Sequence, residues 1–219
     1  MNSAVIQLLV LAGIAVFLIL RLRNVLGTRE GFEKPPAPVA EDTRSSRPAF
    51  EVIEGGPDRD ITDHVDEESD AAKALAAMKL VDSDFSVGEF LQGGRGAYEM
   101  ILMAFERGEI DDIAPFLGPE VHQTFIDVIG EREDQGLTIE ASFVGVREMA
   151  LTGAAFDRDS QDAEITVKFV GELTSVVRDA AGEIIEGKAD EIKRQKDIWT
   201  FARTMGMDDP NWKLVATGE

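Results

Sequence analysis

The chain has 219 residues, of which 42 are acidic and 22 are basic, so its formal net charge is −20. This length predicts one globular domain with an additional segment, and the negative charge disfavours nucleic acid as a partner because its phosphates would be repelled. Cysteine is absent, which excludes disulfide bonds, thiolate metal sites and cysteine nucleophiles. The two histidines, His64 and His122, are too few for a histidine-based metal site, and we predict neither a metal nor a cofactor.

The first apolar run predicts a membrane anchor. It covers residues 4–20 with Gln7 as its only strongly polar member, and as a helix it would be about 25 Å long, enough to cross a thin bilayer. Arg21 and Arg23 follow directly, so the positive-inside rule puts the C-terminal side in the cytoplasm and the short N-terminus outside. We therefore predict a single-pass anchor of the cell inner membrane in residues 1–24. The alternative, a secretory signal peptide, would carry its positive charge before the apolar run.

Residues 25–70 are predicted to form a disordered acidic linker. Four prolines lie in its first part, and the stretch from Glu41 to Asp70 has 11 acidic residues against 3 basic ones. Such a composition offers too few large apolar side chains to form a core. The linker would hold the following domain, residues 71–219, away from the membrane surface.

In the first half of this domain the apolar residues recur at the spacing of a helix. Ser86 and Glu89 form a capping box at one helix start, and Gly108 supplies a stop signal where that helix ends. Pro119 is well placed as the first residue of a later helix. Helices are therefore predicted over residues 71–81, 86–107, 109–117 and 119–135.

Three glycines interrupt the longest predicted helix, at Gly93, Gly94 and Gly96. They do not form a phosphate-binding loop, because no strand precedes them and their spacing fits neither the dinucleotide nor the Walker motif. We interpret them as small residues that admit a closely packed neighbour.

From Leu137 onward the apolar residues alternate with a period of two, which indicates half-buried strands. The alternation loses its phase after Gly145, which predicts a β-bulge. Turn-forming residues at 157–162, 179–182 and 208–211 separate about four antiparallel strands. Helices followed by such strands predict an α+β fold, in which two to four helices pack on one face of a curved sheet of the NTF2-like or cystatin-like kind.

A curved sheet closed by helices on one face commonly leaves an apolar pocket. Seven residues are candidates to line it, and the alternative is that they simply fill the core. We find no catalytic constellation, because no serine has the context of a nucleophile and neither histidine has a partner in sequence. A pair of carboxylates of the glycosidase kind stays open, since pairing in space does not show in the sequence. The pocket candidates are Tyr98, Ile101, Phe105, Phe125, Phe143, Phe169 and Trp199.

Several segments resemble a known family. They are FLQGGRGAYEMI at residues 90–101, ITVKFV at 165–170, DIWTFAR at 197–203 and DPNWKLVAT at 209–217. Together they are similar to the Tim44-like domain family, in particular to its alphaproteobacterial membrane-anchored adaptors. The segments at 197–203 and 209–217 are the more specific part of the resemblance, which covers about residues 80–219.

The resemblance implies an α+β domain with a sizeable apolar pocket and a non-enzymatic adaptor or scaffold role at the inner membrane. Its partners would be proteins, such as chaperone or translocon components, and the lipid bilayer that residues 4–20 would enter. A second interpretation stays open. The domain would then bind a hydrophobic, lipid-like small ligand or be a pocket enzyme of the NTF2-like type, since the same architecture hosts such activities.

Overall fold

The computed structural model describes residues 57–218. The predicted anchor in residues 1–24, and the predicted linker up to residue 56, lie outside the described residues. Between residues 57 and 218, no helix combines the length and hydrophobicity needed to span a membrane.

The helices precede the strands in the chain, as predicted. The Ser86 side chain accepts a hydrogen bond from the Glu89 N–H, and Gly108 ends the same helix in the left-handed conformation with φ of 74°, which a residue without a Cβ adopts freely. The Ser86 half of the capping box and the glycine stop are therefore confirmed. The helices are α1 (Arg59–Thr62), α2 (Asp70–Val81), α3 (Val87–Arg107), a 3-10 helix (Asp111–Phe116) and α4 (Pro119–Asp134).

The strands form one antiparallel sheet in the order β1-β2-β4-β5, with β3 paired to β2 beside that path. The α+β prediction is confirmed, although the described part of the chain has five strands where about four were expected. The short β3 escaped prediction because its isoleucines are adjacent and exposed, so the sequence shows no alternation there. The strands are β1 (Thr138–Phe156), β2 (Asp162–Arg178), β3 (Ile184–Gly187), β4 (Lys193–Thr204) and β5 (Lys213–Gly218).

Strand β1 is long because bulges interrupt its pairing without ending it. Its register with β2 shifts between Phe143 and Gly145, as the lost alternation predicted, and shifts twice more before Phe156. Each bulge increases the local twist, and the resulting curvature lets the sheet wrap around the helices.

The core lies between helix α3 and the inner faces of β2 and β4. Tyr98 is completely buried, and its ring stacks on Phe169 with a centroid distance of 4.5 Å and an interplanar angle of 7°. Trp199 packs against the same tyrosine at 4.8 Å. Aromatic side chains bury large apolar areas, so this cluster holds the longest helix on the sheet.

One boundary differs from the prediction. The linker was expected to be disordered up to residue 70, whereas Arg59–Thr62 form helix α1 and Ile61 belongs to the hydrophobic core. The Asp60 carboxylate accepts hydrogen bonds from the backbone N–H groups of Val87 and Gly88 at 2.8 and 2.9 Å. The acidic composition concealed this role, because a charge that caps a distant helix looks the same in sequence as a solvated one.

Candidate functional site

A groove lies beside the first half of helix α3. It has a volume of about 680 Å³, and it lies between α3, the loop at residues 82–86 that precedes it and the turn at residues 207–212 between β4 and β5. A volume of this size falls within the range of about 300–1,000 Å³ that is typical of ligand sites. We call this feature the α3 groove.

Aromatic side chains form one wall of the α3 groove. Trp212 contacts Phe90 at a centroid distance of 4.8 Å and Phe85 at 5.8 Å, and Phe90 in turn meets Phe201 edge to face at 5.9 Å. Trp212 therefore lies against both phenylalanines at the start of α3 and joins this helix to the last strand. Since Trp212 is only half-buried, part of its surface faces the groove.

Glycines form the floor of the groove, and the packing interpretation of the sequence is wrong for two of the three. Gly93, Gly94 and Gly96 all line the groove, and a Cβ atom added at any of the three would meet no atom within 4 Å. Gly94 is buried, whereas Gly93 and Gly96 are exposed. Gly93 and Gly96 therefore leave the backbone of α3 uncovered, which side chains at the same positions would hide.

A buried ion pair holds the far end of the groove in place. Arg203 Nη2 lies 2.9 Å from Asp82 Oδ2, and the two side chains are only 12% and 15% exposed. Arg203 Nε also donates to the Asp209 carbonyl at 3.1 Å. Both bonds lie in the groove lining, so they fix the turn between β4 and β5 relative to the loop before α3, and they occupy the guanidinium.

The other charged residues of the groove are acidic. Asp84, Glu89 and Asp208 line it and are exposed. Within residues 57–218 none of these three forms an ion pair. The rim of the α3 groove therefore carries negative charge that no neighbouring cation in the described structure neutralises.

The seven predicted pocket residues lie elsewhere. None of them lines the α3 groove. Four are buried around Tyr98, and Phe143 meets the same tyrosine at 6.1 Å. The remaining pair, Phe105 and Phe125, contact each other at 4.4 Å where α3 meets α4. The structure thus places these residues as the core interpretation expected. The groove was missed because its walls come from segments more than 100 residues apart. The four residues of the cluster at Tyr98 are Tyr98, Ile101, Phe169 and Trp199, and Phe125 is buried as well.

The most deeply buried polar contact joins Tyr98 to Asp197. The tyrosine hydroxyl donates to Asp197 Oδ2 at 2.5 Å, and Gln195 Nε2 donates to the other oxygen of the same carboxylate at 3.0 Å. Burial and the hydrogen bond to Asp197 raise the pKa of Tyr98 far above its usual value. The contact fastens α3 to β4, and no described cavity opens onto it.

A second cluster with an altered pKa lies between the end of α3 and α4. Burial raises the pKa of Glu106, although Arg132 partly offsets the effect. The guanidinium of Arg132 lies 4.3 Å from the centre of the Phe105 ring and donates to the Phe105 carbonyl at 3.2 Å. Through these contacts Arg132 packs on the end of α3, which explains its position by structure alone. Among residues 57–218, no group of three or more histidine and acidic side chains is arranged to bind a metal ion.

The open floor leads to a stability prediction. Gly93→Ala and Gly96→Ala should each stabilise the protein by about 0.5–1 kcal/mol, because alanine is favoured over glycine inside a helix and the new Cβ meets nothing. Gly171→Ala should have the opposite effect, since its Cβ would lie 2.6 Å from the Tyr98 hydroxyl oxygen. Urea unfolding followed by tryptophan fluorescence measures all three. If Gly93→Ala or Gly96→Ala lowered the stability, the floor of the groove would not be open at that position.

Comparisons with known proteins identify the family of this chain. Residues 71–219 match the family model described as the Tim44-like domain. Among solved structures 37 chains match. One is the crystal structure of the intermembrane space region of the chloroplast protein ARC6, which is 10% identical, has a TM-score of 0.37 and aligns over 66% of this chain and 94% of that one. No curated protein matches the sequence. Because the family model spans more than half of the sequence, the chain belongs to the Tim44-like domain family.

Proposed function

We propose that this protein is a non-enzymatic, membrane-anchored adaptor whose Tim44-like domain binds protein partners at the inner membrane. The family is associated with protein translocation and with partner binding at membranes, and it is generally non-enzymatic. The observation that carries the proposal is the α3 groove, in which the half-buried Trp212 and the exposed Met100 and Met207 lie beside helix backbone left uncovered at Gly93 and Gly96.

The residues that line the groove are suited to binding a partner rather than to catalysing a reaction. Its apolar wall and glycine floor provide contact surface, while its buried charges, Asp82 and Arg203, neutralise each other. Catalysis by general acids or bases requires a titratable group with a shifted pKa that is positioned in a cleft. Tyr98 and Glu106, whose pKa values are raised by burial, lie outside the groove lining.

In this proposal residues 4–20 span the membrane and residues 57–218 face the cytoplasm. The apolar run followed by arginines supports this orientation. An alkaline phosphatase fusion after residue 34 should be inactive, because that position would lie on the cytoplasmic side. Deleting residues 1–24 should move the protein from the membrane fraction to the soluble fraction, whereas an active fusion or an unchanged membrane fraction would contradict the anchor.

The adaptor function is tested by crosslinking in intact cells. A photo-crosslinking residue at Met100, which lines the groove and is 39% exposed, should capture a partner. The same residue at Ile126 on helix α4, outside the groove and 43% exposed, is the matched control. Recovery of chaperone or translocon subunits from Met100 alone would support a role in protein translocation. Equal recovery from both positions, or none from either, would contradict partner binding at the groove.

A second candidate function is the binding of a hydrophobic small molecule. The volume of the groove, about 680 Å³, and the half-buried Trp212 in its wall favour this alternative. Native mass spectrometry of the full-length protein discriminates between the two. A stoichiometric bound small molecule that is lost on Gly93→Leu would favour ligand binding, whereas an empty domain that still crosslinks to proteins through Met100 would favour the adaptor.

A further inference from the structure

We infer that two copies of this chain associate through the face of the sheet that points away from the helices, which we call the outer face. Strands β2 and β4 define it, because Ile165 and Phe201 belong to the core and the residues next to them along each strand point the other way. This inference depends neither on the adaptor function nor on the α3 groove. Three features of the outer face carry it, namely its small side chains, its paired hydroxyl groups and its pattern of charge.

Small side chains line the middle of the outer face. A central row of cross-strand neighbours runs over four strands and holds nothing larger than threonine, and alanine and glycine make up half of the row on either side. Two sheets pack face to face at a distance that their side chains set, so a second sheet can come close here. The central row is Gly153, Thr166, Thr200 and Ala216, and the rows beside it are Ala155, Glu164, Ala202 and Lys213 on one side and Ala150, Lys168, Ile198 and Gly218 on the other.

The hydroxyl groups of the central row have partners within the chain. Thr166 Oγ1 and Thr200 Oγ1 lie 3.0 Å apart and share a hydrogen bond. A hydroxyl that loses water without gaining such a partner costs free energy. Covering the central row with a second copy therefore takes the threonine methyl groups out of water while this hydrogen bond is kept.

Charges of opposite sign lie on the two sides of the central row. Glu164 and Lys168 are on the same strand, one in each neighbouring row. A second copy rotated by 180° about the central row places its lysine opposite Glu164 and its glutamate opposite Lys168. Glu164 is exposed and forms no ion pair within residues 57–218. The Lys168 ammonium lies 2.6 Å from Glu148 and has further N–H groups to donate.

The same rotation matches the apolar side chains by size. Ile198, which is 39% exposed, comes to lie opposite Ala202 of the second copy, and the symmetry repeats this contact. A large side chain therefore meets a small one in both places. A contact in which the same surface is used by both copies closes on itself, so the expected product is a dimer and not a filament.

The outer face lacks the negative charge that dominates the chain. The formal net charge is −20, which repels a second copy. The three rows hold one acidic residue, Glu164, and two basic residues, Lys168 and Lys213, so they add no negative charge to the contact. None of the residues in these rows lines the α3 groove. A dimer formed in this way therefore presents two open grooves.

Cysteine crosslinking of the full-length protein in intact cells tests the inference, because the chain has no cysteine of its own. Two copies with different tags are produced together, each with Thr166→Cys, and a short bismaleimide joins thiols that lie close. The rotation puts residue 166 opposite itself, so a covalent dimer that carries both tags is expected. Thr200→Cys, in the same row, should give the same product. Thr124→Cys, exposed on α4, is the matched control and should not.

Charge reversal tests the rotation. In the Thr166→Cys protein, Glu164→Lys alone or Lys168→Glu alone puts like charges opposite each other in two places, and each should lower the crosslinked fraction about tenfold. The double variant restores opposite charges and should return the fraction to within about twofold of its original value. Glu133→Lys, exposed on α4, changes the net charge as Glu164→Lys does and should leave the fraction within about twofold.

Glu164→Lys separates specific pairing from general repulsion, because it makes the chain less negative. Weaker general repulsion would raise the crosslinked fraction, whereas the proposed pairing lowers it. A rise, a double variant that stays low, or equal crosslinking from Thr166→Cys and Thr124→Cys would overturn the inference. A product that joins the outer face to an unrelated protein would overturn it too. Urea unfolding identifies any variant that does not fold, and Thr200→Cys then takes the place of Thr166→Cys.

Discussion

Tyr98→Ala is expected to destabilise the protein by about 3–5 kcal/mol, the range for removing a large buried aromatic side chain. The tyrosine is completely buried, stacks on Phe169 and packs against Trp199, so its removal leaves a cavity at the centre of the helix–sheet interface. A loss of this size is a large fraction of the stability of an ordinary domain, which is about 5–15 kcal/mol. Urea unfolding of the full-length protein, followed by tryptophan fluorescence and extrapolated to zero denaturant, measures the change.

Two further substitutions separate packing from hydrogen bonding. Tyr98→Phe keeps the ring and removes the hydrogen bond to Asp197, so it should cost about 1.5–3 kcal/mol, as expected for a bond to a charged group. Met100→Ala lies on the same helix but is 39% exposed, and it should change the stability by less than about 1 kcal/mol. Loss of less than 1 kcal/mol in Tyr98→Ala would show that this ring does not hold α3 on the sheet.

The second large effect is expected at Asp60. Its carboxylate accepts from the backbone of Val87 and Gly88, accepts from the Ser86 hydroxyl at 3.0 Å and lies 2.7 Å from Lys79 Nζ. Asp60→Ala leaves the first turn of α3 without this acceptor and removes a partner of Lys79, and it should therefore cost about 2–3 kcal/mol. Asp70→Asn, which breaks a surface pair in which the aspartate is 99% exposed, is the control and should cost less than about 0.5 kcal/mol.

Asp60 should also make the stability of the protein depend on pH. Burial by itself would raise the pKa of Asp60, but the contacts with Lys79 and with the donors at the start of α3 outweigh burial and hold this pKa well below its usual range. The stabilisation by Asp60 is therefore complete above the pKa of the unfolded chain, about 3.9, and is lost as the pH falls below that value towards the folded pKa.

Asp60→Asn tests this pH dependence because it keeps the shape of the side chain and removes its charge. At pH 7 the variant should be less stable than the original protein, and the difference should shrink as the pH is lowered from about 5 to 2. Urea unfolding at a series of pH values provides the comparison. A difference that stays constant over this range would mean that the charge of Asp60 contributes nothing to stability.

Most of the fold could be predicted from the sequence, whereas the candidate site could not. Ser86, Gly108 and Pro119 end or begin helices through chemistry within a few residues of themselves, so local reasoning identified them. The bulge near Gly145 was also visible, because a bulge shifts the alternation of apolar residues. The family segments at 197–203 and 209–217 were predicted to be consecutive antiparallel strands, which the pairing of β4 with β5 confirms, but only the structure shows that they hold α3 in place.

The sequence by itself determined the order of the longer helices and strands, the ends of α3, the start of α4 and the apolar faces of the sheet, since these depend on residues that are close together in the chain. Only the tertiary structure decided that Asp60 caps α3, that β3 pairs with β2, that the ion pair of Asp82 and Arg203 holds the turn beside the groove, and that Gly93 and Gly96 face open space. These properties depend on which distant segments meet. A glycine in a helix has the same letter whether a neighbour packs against it or a groove lies above it, and only the folded chain distinguishes the two.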